Sequence, residues 1–443
     1  MKAQEKPVVS VVRYEKPLES VRRAVELCGG LRGLKGGAHV FIKPNVVFWT
    51  RSVPFPKWGV ITTSRVIEDM VVILKEEGAG KITIGEGMVL FDPRDRETPA
   101  DAFERLGYST LGKRYGVRCV NVWERPFRKV DLGDGVQLKF NVDILDSDFV
   151  VDIPVMKTHS QTVVSLSIKN LKGVLDRNSR RDCHSADPEK DLHYMVSRLP
   201  RALPPSFALL DGIYTCERGP GFDGKVWRKD LLVASADMFS ADMVGAKILG
   251  HDPGDVPYLA HLAREKGRPA DLSDVEARGV PIKDVASLHR HTFPYTEDGS
   301  LPLPMKRLGI KGFSYRKFDS SMCTYCSLLA GPLLTAIARA WKGEPWDEVE
   351  VLNGKMMKPT PGKKITILLG KCMYQANKDH PDIQRMIAVK KCPPAPKDVV
   401  RAFHEAGVPI APDSLDRLDL WPGQFMKRYE GNPEFDESLF TVS

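Results

Sequence analysis

Two rhythms of hydrophobic and polar positions alternate along the first 300 residues. Short apolar, β-branched runs recur at VVSVVRY (7–13), HVFIKPN (39–45), KITIGEG (81–87), VRCVNV (117–122), DFVVDIPVMK (148–157), FALLDGI (207–213) and DLLVASAD (230–237). Bounded by turn residues, they read as strands. Helical patterns lie between them. One begins near Leu18. A second, SRVIEDMVVILKEEG, runs from Ser64 as N-cap to Gly78 as C-cap, and a third, MFSADMVGAKILG, covers 238–250. This alternation predicts βαβ units and an α/β fold with a mostly parallel, doubly wound sheet. Near-continuous apolar strands such as FVVDIPVM predict cover on both sheet faces. In such sheets a ligand crevice lies outside the carboxyl ends of the strands.

The rhythm breaks at 291–320, which is rich in Pro, Gly and Ser. The break predicts a large domain over 1–300 and a smaller C-terminal α/β domain over 301–443. The second domain opens with Cys323-Thr-Tyr-Cys326, continues through the helical run SLLAGPLLTAIARAWKG, and has two further strands. KITILLG (364–370) leads to Cys372, and QRMIAVKK (384–391) leads to Cys392-Pro-Pro. A helix over 396–407 follows.

Composition narrows the function classes. Charged residues make up 28% and hydrophobic residues 42%, ordinary values for a soluble globular protein. The net charge of +8 is spread among acidic residues with no Lys/Arg run, so no nucleic-acid partner is expected. No run of apolar residues is long enough to span a membrane, and MKAQEKPVVS lacks the apolar stretch of a signal peptide. A cytoplasmic location is the expectation, and a homo-oligomer is compatible with it. Neither a G-x-G-x-x-G nor a P-loop motif is present, so no nucleotide site is supported.

In a reducing compartment, eight cysteines point to metal or redox chemistry rather than disulfides. Cys323, Cys326, Cys372 and Cys392 fall in one window beside turn residues. A C-x-x-C turn presents two thiolates to one site, and two strand-end cysteines on the same edge complete four, the set a [4Fe–4S] cluster needs. Zinc is the alternative for four thiolates, and core packing is the bland one. Cys28 and Cys119 sit in helix and strand patterns, as core cysteines would. Cys183 lies beside His184 in a polar loop, where a reactive thiol or extra ligand is conceivable.

A second constellation occupies predicted strand ends of the large domain. Lys43, Lys157 and Lys169, with His159, are the candidate catalytic residues. Asn45, Thr62, Thr63, Glu86, Asn170, Lys172 and His184 are the candidate substrate-binding residues. The lysines would bring positive charge to one crevice. The Thr-Thr-Ser amides at a helix start would favour an anion. Gly85 and Gly87 would let backbone approach a ligand with Glu86 between them. Together these suit a small carboxylate or phosphate, with Lys and His placed for proton transfer.

Five ordered blocks resemble the domain-of-unknown-function 362 family: FIKPNVV, GVITTSRVIEDMVVILKEEGAGKITIGEG, DFVVDIPVMKTHSQTVVSLSIKNLKGVL, FALLDGIYTCERGPG and LLVASADMFSADMVGAKILGHDPGDVPYL. The resemblance implies an α/β domain often joined to iron–sulfur domains, and no established reaction. Many members carry ferredoxin-like double-cluster motifs. This chain has one CxxC and two dispersed cysteines, which favours a single cluster. Locally, the strand-Cys-Pro-Pro-helix pattern resembles the last ligand segment of small subunits in quinone oxidoreductases and nickel–iron hydrogenases, where it binds [4Fe–4S]. The expectation is an oxygen-sensitive, anaerobically handled [4Fe–4S] enzyme acting on a small anion. Redox chemistry, with a partner such as ferredoxin, is favoured over dehydration or isomerisation. The alternative is a non-catalytic electron carrier or accessory protein.

Overall fold

β-branched runs flanked by Gly, Pro and Asn form strands because their side chains fit a pleated, buried surface. The computed structural model describes residues 5–90, 92, 94–219 and 221–442. The first four residues, part of the N-terminal stretch judged not to be a signal peptide, lie outside the described residues.

The chain forms two compact units. The first comprises 1–180, 193–292 and 422–443. Its strands are β1 (Val8–Arg13), β2 (His39–Pro44), β3 (Lys81–Glu86), β4 (Arg118–Asn121), β5 (Phe127–Asp131), β6 (Gln137–Asn141), β7 (Phe149–Ile153), β8 (Val155–His159), β9 (Val163–Ser165), β10 (Ser206–Cys216), β11 (Val226–Ser235) and β12 (Glu276–Gly279). The main sheet runs β12-β1-β11-β10-β7-β2-β3-β4, with β8 and β9 attached beside β10. Pairing is parallel from β10 through β4. β11 is antiparallel to both β10 and β1, and β1 pairs parallel with β12. Along this path only β11 runs against the rest. The mostly parallel α/β sheet that the alternation predicts is present. β7 is buried throughout and β2 almost so, as strands covered on both faces must be.

Three local expectations change. The single strand expected over 148–157 divides at Pro154 into β7 and β8, because proline has no N–H to give a ladder. The helix Ser64–Glu76 takes Thr63 as N-cap, with Ser64 its first residue, and closes at Glu77 followed by Gly78 at φ 82°. The β5–β6 hairpin stands outside the expected strands, although VQLKF (136–140) alternates apolar and polar residues after Gly133-Asp134-Gly135.

The second unit comprises 181–192 and 293–421. Its sheet is β13 (Phe313–Tyr315), β14 (Val349–Leu352), β15 (Ile365–Leu369) and β16 (Arg385–Val389), parallel in that order. Helices Thr324–Ala340 and Pro396–Glu405 bury Leu333, Ile337, Val399 and Phe403 against Ile367 and its neighbours.

A single cut near residue 300 does not describe these units. The last segment belongs to the first unit because its aromatics cover that unit. Trp58 meets Tyr429 at 4.9 Å and Phe435 at 5.7 Å between ring centroids. The Tyr214 hydroxyl donates to Glu434 O at 2.9 Å and accepts from Asp436 N at 2.9 Å. Conversely, 181–192 joins the second unit. There His184 bonds Ser320 O at 2.9 Å through Nδ1, and Lys355 Nζ donates to Arg181 O at 3.2 Å.

Candidate functional site

In the first unit, adjacent parallel strands deliver polar residues to one edge. Register pairs Lys43 with Asp152 across β2 and β7, and Glu86 closes β3. Lys43 is fully buried. Its Nζ donates to Glu86 Oε2 at 2.8 Å, to Pro44 O at 2.6 Å and to Asn170 Oδ1 at 3.4 Å. Asn170 donates to Asp152 Oδ1 at 2.8 Å and accepts from Asn45 Nδ2 at 3.0 Å. Asn45 Oδ1 in turn accepts from Lys157 Nζ at 2.6 Å, and Lys157 also donates to Val60 O at 3.0 Å. Lys43, Asn45, Glu86, Lys157 and Asn170 therefore form one hydrogen-bonded chain.

Other expected residues serve the scaffold. Thr62 Oγ1 accepts from Asn45 N at 2.7 Å and donates to Ile153 O at 2.7 Å, a strut between loop and strand. Thr63 N donates to Asp211 Oδ2 at 2.7 Å. An internal carboxylate thus occupies the anion position expected for a ligand at that helix start. Gly85 and Gly87 are required by neighbours within the protein. A Cβ on Gly85 would collide with the Phe41 ring, and one on Gly87 would lie 2.7 Å from Gly173 O. Gly173 itself lies over the ion pair, since a Cβ there would stand 2.5 Å from Glu86 Oε1 and 2.7 Å from Lys43 Nζ. His159, buried at the end of β8, accepts from Gln161 N at Nδ1 at 3.1 Å. His184 lies in the segment 181–192, which belongs to the second unit.

Burial dominates the electrostatics of this edge. Desolvation pushes the Lys157 ammonium down to about 8, and the same cause holds Asp152 well above the usual carboxylate range. Asp152 Oδ2 has no hydrogen-bond partner. Lys169 is partly buried and is pushed well down by desolvation and then by the like charges of Lys172 and Lys157. Among the described residues it has no hydrogen-bond or ion-pair partner. Buried Cys216 stands opposite Lys157 in the β10–β8 register, its thiol pushed up to about 12 by burial. Sequence reasoning passed over Asp152 and Cys216. Asp152 had a readable signal, a lone charge inside an otherwise apolar strand.

In the second unit the four cysteines gather at the carboxyl edge of the small sheet. Cys323 is the N-cap of helix Thr324–Ala340 and Cys326 lies in its first turn. Cys372 lies in the first turn of helix Lys371–Asn377, just past β15, and Cys392 follows β16. β15 and β16 are parallel neighbours with Leu369 opposite Val389, so both cysteines leave the same edge. A Cβ on Gly370 would lie 3.8 Å from Cys326 Sγ and 3.9 Å from Cys372 Sγ. Cys326 feels the charge of all three others. A hydrogen bond from the Cys326 thiol favours the Cys323 thiolate and pushes Cys326 itself up. Burial pushes the Cys372 and Cys392 thiols up, and the Lys355 charge partly opposes this there and adds to the lowering at Cys323. All four cysteines are free of disulfides. Among the described residues, no group of three or more His, Cys, Asp or Glu side chains is arranged to hold a metal ion. The four thiols are gathered, not closed into a cage.

Part of the first unit is similar to a known family. Residues 40–247 match the family model described as Domain of unknown function (DUF362). A thylakoid-associated protein of Synechocystis is 28% identical over 252 residues, which are 56% of this chain and 74% of that protein. The lactate racemase apoprotein of Thermoanaerobacterium thermosaccharolyticum is similar at 13% identity and a TM-score of 0.33, over 55% of this chain and 57% of that one. A Thermotoga maritima protein of known structure is similar at 11% identity and a TM-score of 0.27, over 58% and 59%. The chain thus spans less than two thirds of either solved structure. Among the described residues, no helix is long and apolar enough to cross a membrane.

Proposed function

We propose that this chain is an oxygen-sensitive iron–sulfur enzyme that acts on a small carboxylate or phosphate. Cys323, Cys326, Cys372 and Cys392 would hold a [4Fe–4S] cluster in the second unit. The observation that carries this reading is the delivery of four thiols to one sheet edge by two helix starts and two adjacent strands. The donor set fits the group in kind and number, since such clusters are held by four cysteine thiolates. Lys355 offsets part of the negative charge that four thiolates concentrate. A bound cluster supplies one-electron transfer when all four cysteines ligate it, or a Lewis-acidic iron when three do. Four available thiols favour the redox form, with a ferredoxin-type partner as electron source.

Anion binding in the first unit rests on Lys169, which lacks a partner beside two further lysines. Desolvated positive charge of this kind is relieved by a bound anion. Lys43 is paired with Glu86 inside the protein.

A second reading, an electron carrier with no substrate, is favoured by a separate observation. Lys43 and Lys157 are 0% and 1% exposed and bonded within the protein, as parts of a purely structural network would be.

Anaerobic reconstitution of the full chain with iron and sulfide tests the proposal. Equal iron and sulfide uptake, with an EPR signal on reduction that is lost in Cys372→Ser, is the expected result. Zinc in place of iron and sulfide sinks the cluster. Thermal melts with inorganic phosphate separate the two readings. A rise in melting temperature that Lys169→Gln removes supports the enzyme, and no rise supports the carrier.

A further inference from the structure

Two lysines of the first unit bear on a third. The charges that act on Lys169 are those of Lys172 and Lys157, both positive. Lys157 has acceptors for its ammonium, Asn45 Oδ1 at 2.6 Å and Val60 O at 3.0 Å. Lys169 has neither a hydrogen-bond nor an ion-pair partner among the described residues. Three desolvated positive charges without a counter-ion are costly, and the amine with no acceptor is the one that gives up its proton. Burial, and then the charges of Lys172 and Lys157, hold the Lys169 ammonium well below the usual lysine range. The chain fixes this amine in place. Asp242 accepts from Ser167 N at 2.8 Å and Ile168 N at 3.1 Å, just before Lys169. Asn170, just after it, donates to Asp152 Oδ1 at 2.8 Å. Leu166, Ile168 and Leu171 are fully buried, so the backbone is anchored on both sides. The Lys169 side chain itself keeps partial exposure, which leaves it reachable by a small molecule.

We propose that the Lys169 amine is a nucleophile that forms an imine with a small 2-oxo acid. The inference rests on the anion-binding reading of the first unit and narrows its substrate class, from a carboxylate to a carboxylate that also carries a carbonyl. It does not depend on the cluster. Nζ adds to the carbonyl carbon. The carbonyl oxygen then leaves as water with both hydrogens of the neutral amine, and a carbon–nitrogen double bond remains. Nothing is oxidised or reduced. A lysine that is desolvated beside other cations is activated for this step, because its uncharged form carries the lone pair that attacks. The positive field of Lys157 and Lys172 attracts the carboxylate of an oxo acid. An uncharged ketone lacks that attraction.

The test treats the full chain at neutral pH with pyruvate, and with borohydride to trap the imine as a secondary amine. Peptide mass mapping then locates the adduct. The expected result is one reduced pyruvyl group on Lys169, formed roughly a hundredfold faster than on the exposed Lys35, since ordinary exposed amines are almost wholly protonated at that pH. Lys169→Arg, which keeps the charge, should lose the fast adduct, and unfolding in urea should erase the preference. Labelling of Lys169 no faster than Lys35, or a fast adduct on Lys157 or Lys172 instead, overturns the proposal. Acetone labelling Lys169 as fast as pyruvate overturns the choice of an oxo acid. If phosphate raises the melting temperature while pyruvate leaves Lys169 unlabelled, the anion site stands and the imine falls. With neither response, both fall. The wild type alone carries the mapping, so the result stands even if Lys169→Arg fails to fold.

Discussion

At the scale of single residues, the first unit's polar edge depends on one buried ion pair. Lys43 and Glu86 are both within 2% of full burial and stand 2.8 Å apart. Each was desolvated on folding, so removing one leaves the other charge without compensation. Lys43→Met should destabilise the protein by about 3–5 kcal/mol, and Lys43→Met combined with Glu86→Leu should recover much of that loss. Denaturant titration of the two single variants and the double checks this. Additive losses would show that the pair is not coupled. The convergence of Lys43, Asn45, Glu86, Lys157 and Asn170 was legible beforehand, because strand ends of a parallel sheet share an edge. The satisfaction of these residues by one another was not. Thr63 looked available to a ligand until Asp211, 148 positions away, supplied the carboxylate that bonds its amide.

At the scale of elements, short helices in this fold are anchored by acids from distant strands and helices. Asp242, in the helix Met238–Ile248, accepts from Ser167 N at 2.8 Å, Ser167 Oγ at 2.5 Å and Ile168 N at 3.1 Å, and so holds the start of the short helix Ser167–Asn170. Tyr258 donates to the same carboxylate at 3.2 Å. Burial nevertheless pushes Asp242 from 3.8 up to about 7. The folded state then binds a proton more tightly than the unfolded chain between those values. Its contribution to stability is full below the lower value and lost as pH rises to the upper one. Asp242→Asn cannot titrate. The gap in melting temperature between wild type and this variant should narrow from pH 4 to pH 7 and stay level above. A gap that widens over that range would contradict the assignment. In the sequence Asp242 reads as a carboxylate that could join the polar residues at a strand end, or as part of a cap or turn. Its partners at Ser167 and Ile168 are set by how two helices meet.

At the scale of the whole molecule, the chain leaves the first unit and returns to it. Residues 422–443 close on Trp58 and Tyr214 through Tyr429, Phe435 and Phe440. Tyr214→Phe keeps the ring and removes the hydroxyl that joins Glu434 and Asp436, at a cost of about 1–3 kcal/mol. Faster hydrogen exchange and proteolysis confined to 422–443 are the expected signs. Unchanged protection there would mean that ring packing alone holds the segment. These aromatics have no period in the sequence, so nothing in their spacing says which surface they cover. The same holds for 181–192, a polar loop by composition that contributes to the second unit.

Sequence by itself determined the elements and their kind. Periodicity of two or near four is a property of neighbouring residues, and it read seven runs that cover eight of the twelve described strands of the first unit, with the main helices and the mostly parallel sheet. It also brought Cys323, Cys326, Cys372 and Cys392 into view, because turns and strand ends are marked locally by Gly, Pro and the CxxC spacing. Tertiary structure decided everything that depends on a partner far along the chain. It matched Lys43 with Glu86, bonded Thr63 to Asp211, moved His184 to the second unit, and left the Lys169 ammonium without a partner among the described residues. Burial makes each of those pairings matter, and burial exists only once distant segments have come together.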